Sequence, residues 1–166
     1  MGKQLLENVT REKMLKDMWL LHDSRWFIKV IGEFGFDAAN KLNQEINKSI
    51  GRTEMKRLIK ELKREKIGSA KELKEIFDTA VELYLPDEHQ YEFEVYDEHT
   101  VLGKVIKCFI HSHLEKAGTT SIYKCPGKLR CDSWLEACGV KGESIADKTA
   151  QDCNGRCTIT YKINWE

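Results

Sequence analysis

Four cysteines in the last quarter of the chain form two close pairs whose spacing suits metal binding. Cys125 and Cys131 flank a Pro-Gly turn, and Cys153 and Cys157 flank an Asn-Gly turn. Zinc binds thiolate sulfurs at about 2.3 Å in a tetrahedron, and two such turns can bring four sulfurs within about 4 Å of each other. Four thiolates leave no ligand position for water, so the pattern predicts a structural zinc site and not a catalytic one.

The same thiols have other interpretations. Five residues separate the first pair and three separate the second, which differs from common zinc knuckles. Cys138 follows Cys131 on the same predicted helix face and could replace Cys125 as a ligand. The cysteines could also be buried free thiols, whereas a redox pair is less favoured because no Cys-x-x-Cys motif is present. Cys108 falls on the core face of a predicted strand and is interpreted as an ordinary core thiol.

A second group of side chains suits a small organic ligand. Apolar and aromatic residues recur at helical spacing and predict one buried stripe: Leu15, Trp19, His22, Trp26 and Val30. His22 and Trp26 would form a pocket wall, with His22 as the polar, orienting group, unless both are ordinary core residues. Asn43 falls on the inward face of the next predicted helix, where it either ties two helices together or reaches the ligand.

The elements that position these groups begin with a helical half, residues 1–86. The segment 32–36 is expected to break the first helix, Gly51 to end the second, and Thr53 to cap the third. Ser69, with a glutamate at capping-box spacing, opens a fourth helix that ends at Pro86. The third helix carries the most basic stretch, 52–66, but its interleaved glutamates indicate a solvated helix face.

Residues 87–166 form the strand-bearing half. Alternation from residue 91 predicts a hairpin whose second strand runs from about 100 to 114 and carries His111 and His113 as exposed sheet histidines. A short strand at 121–124 and a helix at about 129–137 follow. Two further strands, 145–152 and 157–163, are expected to flank the Asn154-Gly155 turn directly, with Cys157 on the inward face of the last.

Composition and hydropathy limit the possible partners, the localisation and the number of domains. The 166 residues carry 27 basic and 27 acidic side chains, so no overall positive field draws the chain to nucleic acid or to an anionic membrane. No apolar run is long enough to span a bilayer, and no signal-peptide core is visible, so a cytoplasmic protein is expected. Short breaks between helices and the absence of a linker predict one domain, 1–166.

Two stretches carry a family resemblance. The segment 19–26, with 39–43 and 51–54, resembles an uncharacterised prokaryotic family known only as a domain of unknown function. The C-terminal half, a cysteine ahead of a helix and then a hairpin with Cys, Gly and Cys, is similar to the vinyl-reductase domain, whose wider fold group includes haem-nitric-oxide-binding proteins. This resemblance implies an α+β fold, with N-terminal helices on a twisted antiparallel sheet and a zinc site near the C-terminus. Residue by residue, the resemblance implies metal ligands only at Cys131, Cys153 and Cys157. Ala150 stands where sensor relatives have a glutamate ligand.

The resemblance implies a sensor-like protein that binds a small aromatic or apolar molecule, with a homodimer left open. Aminothiazoline-carboxylate hydrolases have a similar layout, so hydrolysis of a small heterocyclic or amide substrate is the alternative. A nucleic-acid or protein interaction module that uses helix 52–66 is the second alternative. Haem is disfavoured because, although His22 could be an axial ligand, no propionate clamp is visible.

Overall fold

The computed structural model describes residues 5–149 and 151–165, so Ala150 lies outside the described residues. Among the described residues, four helices and four strands follow one another in pairs, with two helices before each pair of strands. The helices are α1 (Asn8–Glu61), α2 (Ala70–Tyr84), α3 (Phe109–Lys116) and α4 (Gly127–Ala137). The strands are β1 (Gln90–Asp97), β2 (Thr100–Lys107), β3 (Lys141–Ala146) and β4 (Cys157–Asn164). The α+β prediction is confirmed.

Two helical arms joined at Gly35, together labelled α1, replace the first three predicted helices. Gly35 interrupts α1 with φ 79° and ψ 173°, a conformation that is essentially restricted to glycine, so the predicted break at 32–36 is confirmed. We call residues 8–34 the first arm and residues 36–61 the second arm. The predicted end at Gly51 and cap at Thr53 are wrong, because Gly51 is buried inside the second arm, where a Cβ would stand 2.9 Å from the Arg130 carbonyl oxygen. This glycine permits close helix packing and does not end the helix.

The apolar stripe of the first arm is exposed, contrary to the prediction. Leu15, Trp19 and Trp26 are 70%, 55% and 46% exposed, His22 is also exposed, and Val30 alone of the stripe is buried. The face turned toward the rest of the protein lies about a third of a turn away and carries Lys16, Leu20, Phe27 and Ile31, which are half-buried. The arm is apolar on more than one face, so periodicity alone does not identify the packed face.

The sheet is antiparallel in the order β1-β2-β4-β3, and its inner face supports the core. Phe77 of α2 lies at the centre, with ring centroids 5.2 Å from Phe93 and Tyr161 and 5.8 Å from Trp134. Met55 and Leu58 of the second arm pack into the same cluster. The second arm, α2 and α4 are therefore held on one sheet face, while the first arm stands outside this core.

The chain departs from the predicted strands after β2. This strand ends at Lys107, and Cys108 begins α3 by accepting a hydrogen bond from the His111 backbone N–H. His111 and His113 consequently lie on a helix, and their placement on a sheet face was wrong. The apolar residues of 105–114 fit both a helical and a strand period. The cap at Cys108 therefore determines that the segment after β2 forms a helix.

Residues 121–124 form no strand, because a side chain takes the place of a strand partner. Asn40 donates from Nδ2 to the Ile122 carbonyl at 2.9 Å and accepts from the Lys124 N–H at 2.9 Å. The helix predicted at 129–137 is confirmed as α4, which begins two residues earlier.

The last hairpin has a longer connection than predicted. β3 covers Lys141–Ala146 instead of 145–152, and segment 147–156 joins it to β4. Asn154 and Gly155 do form a tight turn, with φ of 46° and 72° and a hydrogen bond from the Arg156 N–H to the Cys153 carbonyl. This turn lies inside the connection and does not join the strands directly.

Candidate functional site

A groove of about 370 Å³ lies between the two arms of α1 and the C-terminal end of α2. Segments 15–20 and 49–57 line it from roughly equal distances on either side of Gly35, so the arms run side by side in opposite directions. Its apolar lining is contributed by Leu15, Trp19, Leu20, Ile50, Leu83 and Tyr84. A volume of this size suits a molecule of one or two rings.

Glu54 joins the groove to α4 through a buried polar network. Its carboxylate accepts hydrogen bonds from Arg130 Nε at 3.0 Å, from Arg130 Nη2, and from the Trp134 indole N–H at 3.0 Å. The Arg130 guanidinium also lies over the Trp134 ring, 5.8 Å from its centroid. The charge of Glu54 is therefore neutralised within the protein and is not available to pair with a cationic ligand.

Two cations stand at the edge of the groove. Lys16 forms an ion pair with Glu12 at 3.0 Å and also donates to the Glu82 carbonyl. Arg57 forms no salt bridge with residues 5–149 or 151–165. Burial and the Glu54 charge raise the pKa of Tyr84, while Arg57 lowers it, which places the guanidinium within electrostatic range of this hydroxyl. The groove is thus apolar with a positive edge.

The three ligand-binding residues expected from the sequence lie elsewhere. His22 stacks on Trp19, with ring centroids 6.4 Å apart, and Trp26 lies one turn further along the first arm; neither lines the groove. Asn43 donates to the Tyr123 hydroxyl at 3.2 Å and accepts from Asn47 at 2.9 Å, so it ties the second arm to the loop before α4. A ligand role for these three residues remains a prediction, and the structure does not bring them together in the groove.

The predicted zinc ligands divide into two environments. Cys131 is buried in the core, where burial raises its pKa, and it neighbours the buried hydroxyls of Tyr91 and Tyr161, which make no hydrogen bond of regular geometry. Cys125 and Cys157 lie outside the core, near the start of β4, where burial raises their pKa to about 11 and about 12. The charge of Cys131 also raises the pKa of Cys125, so the two environments adjoin. As a residue Cys125 is exposed, yet protein surrounds its sulfur closely enough to disfavour the thiolate.

Cys108 belongs to the second environment. The charges of Cys125, Cys153 and Cys108 all raise the pKa of Cys157, so these thiols are neighbours. As they stand, the described side chains include no group of three or more His, Cys, Asp or Glu residues arranged to hold a metal ion. Cys138, the alternative ligand, is half-buried beside the core, and burial raises its pKa to about 12.

Sequence reasoning missed Glu54, Arg57 and Arg130 as site residues. Arg130 pairs with a residue 76 positions earlier, so no local spacing reports the contact. The sequence did contain one signal for Glu54. This residue lies at helical spacing between the buried residues Gly51 and Leu58. A carboxylate on such a buried face requires a buried partner.

Comparison with known proteins places the chain in a family without assigning an activity. Within the described residues, none of the helices combines the length and apolarity that a membrane span needs. No curated protein matches the chain. The model of DUF6125, a family of unknown function, matches residues 3–129, about three quarters of the sequence, and the chain therefore belongs to this family.

Proposed function

We propose that this protein binds a small aromatic or apolar molecule carrying one acidic group, in the groove between the arms of α1 and the end of α2. The observation that carries this proposal is the combination of an apolar lining with an arginine, Arg57, that has no carboxylate partner among the described residues. An aromatic body would pack on Trp19 and Leu20, and the acidic group would pair with Arg57. A sensor-like role in the cytoplasm is part of the same proposal.

Such a ligand would bind in the groove and not between the helices and the sheet. The core between these layers is filled by Phe77, Trp134 and Tyr161, each nearly or fully buried. The groove, in contrast, opens beside the first arm, where Trp19 is only half covered. A ligand there would remove apolar surface from water, which favours binding.

The alternatives have less support from the structure. Arg52 pairs with Glu136, and Arg64 lies near Glu72 and Glu75, so two of the seven cations of segment 52–66 are neutralised by carboxylates. The hydrolase alternative requires an activated nucleophile, and burial raises the pKa of Cys108 and of Cys138, the two cysteines outside the predicted zinc set. The similarities to the vinyl-reductase domain and to aminothiazoline-carboxylate hydrolases remain predictions.

Calorimetric titration with three matched probes tests the proposal: naphthalene-2-carboxylate, 2-naphthalenemethanol and 2-naphthylmethylamine. The carboxylate is expected to bind most tightly and the amine most weakly. Replacing Arg57 by Met should weaken carboxylate binding about tenfold, or about 1.4 kcal/mol, and change the affinity of the alcohol less than twofold.

Two tryptophans of similar exposure provide the matched control. Trp19→Ala should weaken all three probes, because Trp19 lines the groove, whereas Trp26→Ala and His22→Ala should leave them unchanged. Absence of binding by every probe, or loss of binding in Trp26→Ala with normal binding in Trp19→Ala, would contradict the proposal.

A further inference from the structure

Cys108 lies beside the turn that carries Cys153 and Cys157. In the β2–β4 pairing Val105 is opposite Cys157, so the chain leaving β2 runs along the chain entering β4. The Cys108 N–H donates to the Gly155 carbonyl at 3.0 Å, which fixes the start of α3 against the Asn-Gly turn. Sheet register and one backbone hydrogen bond therefore place three cysteines at one end of the sheet.

The fourth cysteine reaches this end through a separate contact. Gln151 donates from Nε2 to the Tyr123 carbonyl at 3.0 Å, and so ties segment 147–156 to the loop that contains Cys125. Three separate chain segments thus converge on one location.

Two of the sulfurs accept backbone N–H groups. The His111 N–H points to Cys108 Sγ at 3.4 Å, at the positive N-terminal end of α3. The Gly127 N–H points to Cys125 Sγ at 3.4 Å, across the Pro-Gly turn. Such donors stabilise a thiolate more than a neutral thiol, and they are therefore expected at sulfurs that bind a metal.

We propose that Cys108, Cys125, Cys153 and Cys157 bind one zinc ion as four thiolates, with Cys108 in the position that the sequence assigned to Cys131. Binding forms four Zn–S bonds, breaks four S–H bonds and releases the protons to solvent, without electron transfer. The sulfurs must approach to about 4 Å of each other. Cys125 and Cys153 lie outside the helices and strands, whereas Cys131 lies inside α4 with its side chain in the core.

Titration of the reduced, full-length chain with Co(II), followed by displacement with Zn(II), tests this set. The wild type should bind one Co(II) per chain with the visible absorption of a tetrahedral thiolate site. Cys108→Ser should weaken binding at least tenfold and remove about a quarter of the sulfur-to-cobalt charge-transfer intensity. Cys138→Ser and Cys131→Ala should bind as the wild type does.

A second measurement covers the case in which a core variant fails to fold. Alkylation of the zinc-loaded wild type, followed by mass spectrometry, should show four cysteines that become reactive when a chelator removes the metal: Cys108, Cys125, Cys153 and Cys157. Cys131 and Cys138 should not change. Metal-dependent protection of Cys131 in place of Cys108, or a folded, reduced wild type that binds neither ion, would overturn the proposal.

Discussion

Removing the Glu54 carboxylate should destabilise the fold far more than removing a surface glutamate. Glu54→Ala takes away three hydrogen bonds and leaves the Trp134 indole N–H without a partner in the core. An unsatisfied buried donor costs about 1–3 kcal/mol, and breaking a buried ion pair costs about 3–5 kcal/mol. The Arg130 side chain remains 19% exposed, which allows partial solvation. We therefore expect a loss of about 3 kcal/mol in the free energy of unfolding.

Urea unfolding followed by circular dichroism measures this loss, with Glu45→Ala as the matched control. The Glu45–Lys48 pair is solvent-exposed, so its removal should change the free energy of unfolding by less than about 0.5 kcal/mol. A double-mutant cycle with Arg130→Ala should give a coupling energy above about 1 kcal/mol. A Glu54→Ala variant as stable as Glu45→Ala would refute the role assigned to this network.

Four further variants test the packing, a helix cap and a half-buried histidine. Gly51→Ala should lose about 1–3 kcal/mol in urea unfolding because the new methyl group would meet the Arg130 backbone, whereas Gly32→Ala, with open space around it, should gain up to about 1 kcal/mol; equal effects would contradict the close approach of α4. Ser69→Ala should lose about 1 kcal/mol in the same assay, since its hydroxyl caps α2. Burial, and secondarily Arg130, lowers the pKa of His89 from 6.5 to about 4. As the pH falls, the imidazole of His89 is therefore protonated in the unfolded chain before it is protonated in the folded chain. The free energy of unfolding should be greatest above pH 6.5 and fall by up to about 3 kcal/mol toward pH 4. His89→Asn should remove this pH dependence, and an unchanged pH dependence in that variant would contradict the assignment.

Local signals in the sequence identified most elements that depend on local physics. The Ser69 cap, the glycine-dependent bend at Gly35, helix α4 and the inward face of β4 all follow from residues within one or two turns of each other. Gly51 was misassigned because its reason for being glycine is the backbone of Arg130, 79 positions away. A distant contact of this kind leaves no local pattern.

The candidate site was less accessible to sequence reasoning for the same reason. The first arm presents apolar residues on several faces, and the whole stripe through Trp26 was expected to be buried. The groove uses only Leu15 and Trp19 of that stripe, together with residues of the second arm and α2. The cysteines were paired by their separation in the chain. The β2–β4 register, which no spacing rule predicts, brings Cys108 beside Cys157, whereas Cys131 lies on α4 and is buried in the core.

The central claim, that a small aromatic acid occupies the groove, is tested most directly by the four indole N–H signals in a ¹⁵N correlation spectrum during titration with naphthalene-2-carboxylate. The groove contains Trp19 and none of the other three tryptophans, Trp26, Trp134 and Trp165. We predict a saturable shift of the Trp19 signal with the Trp26 signal unmoved. A saturable shift of Trp26 with Trp19 unmoved, or no shift of either, would contradict the claim.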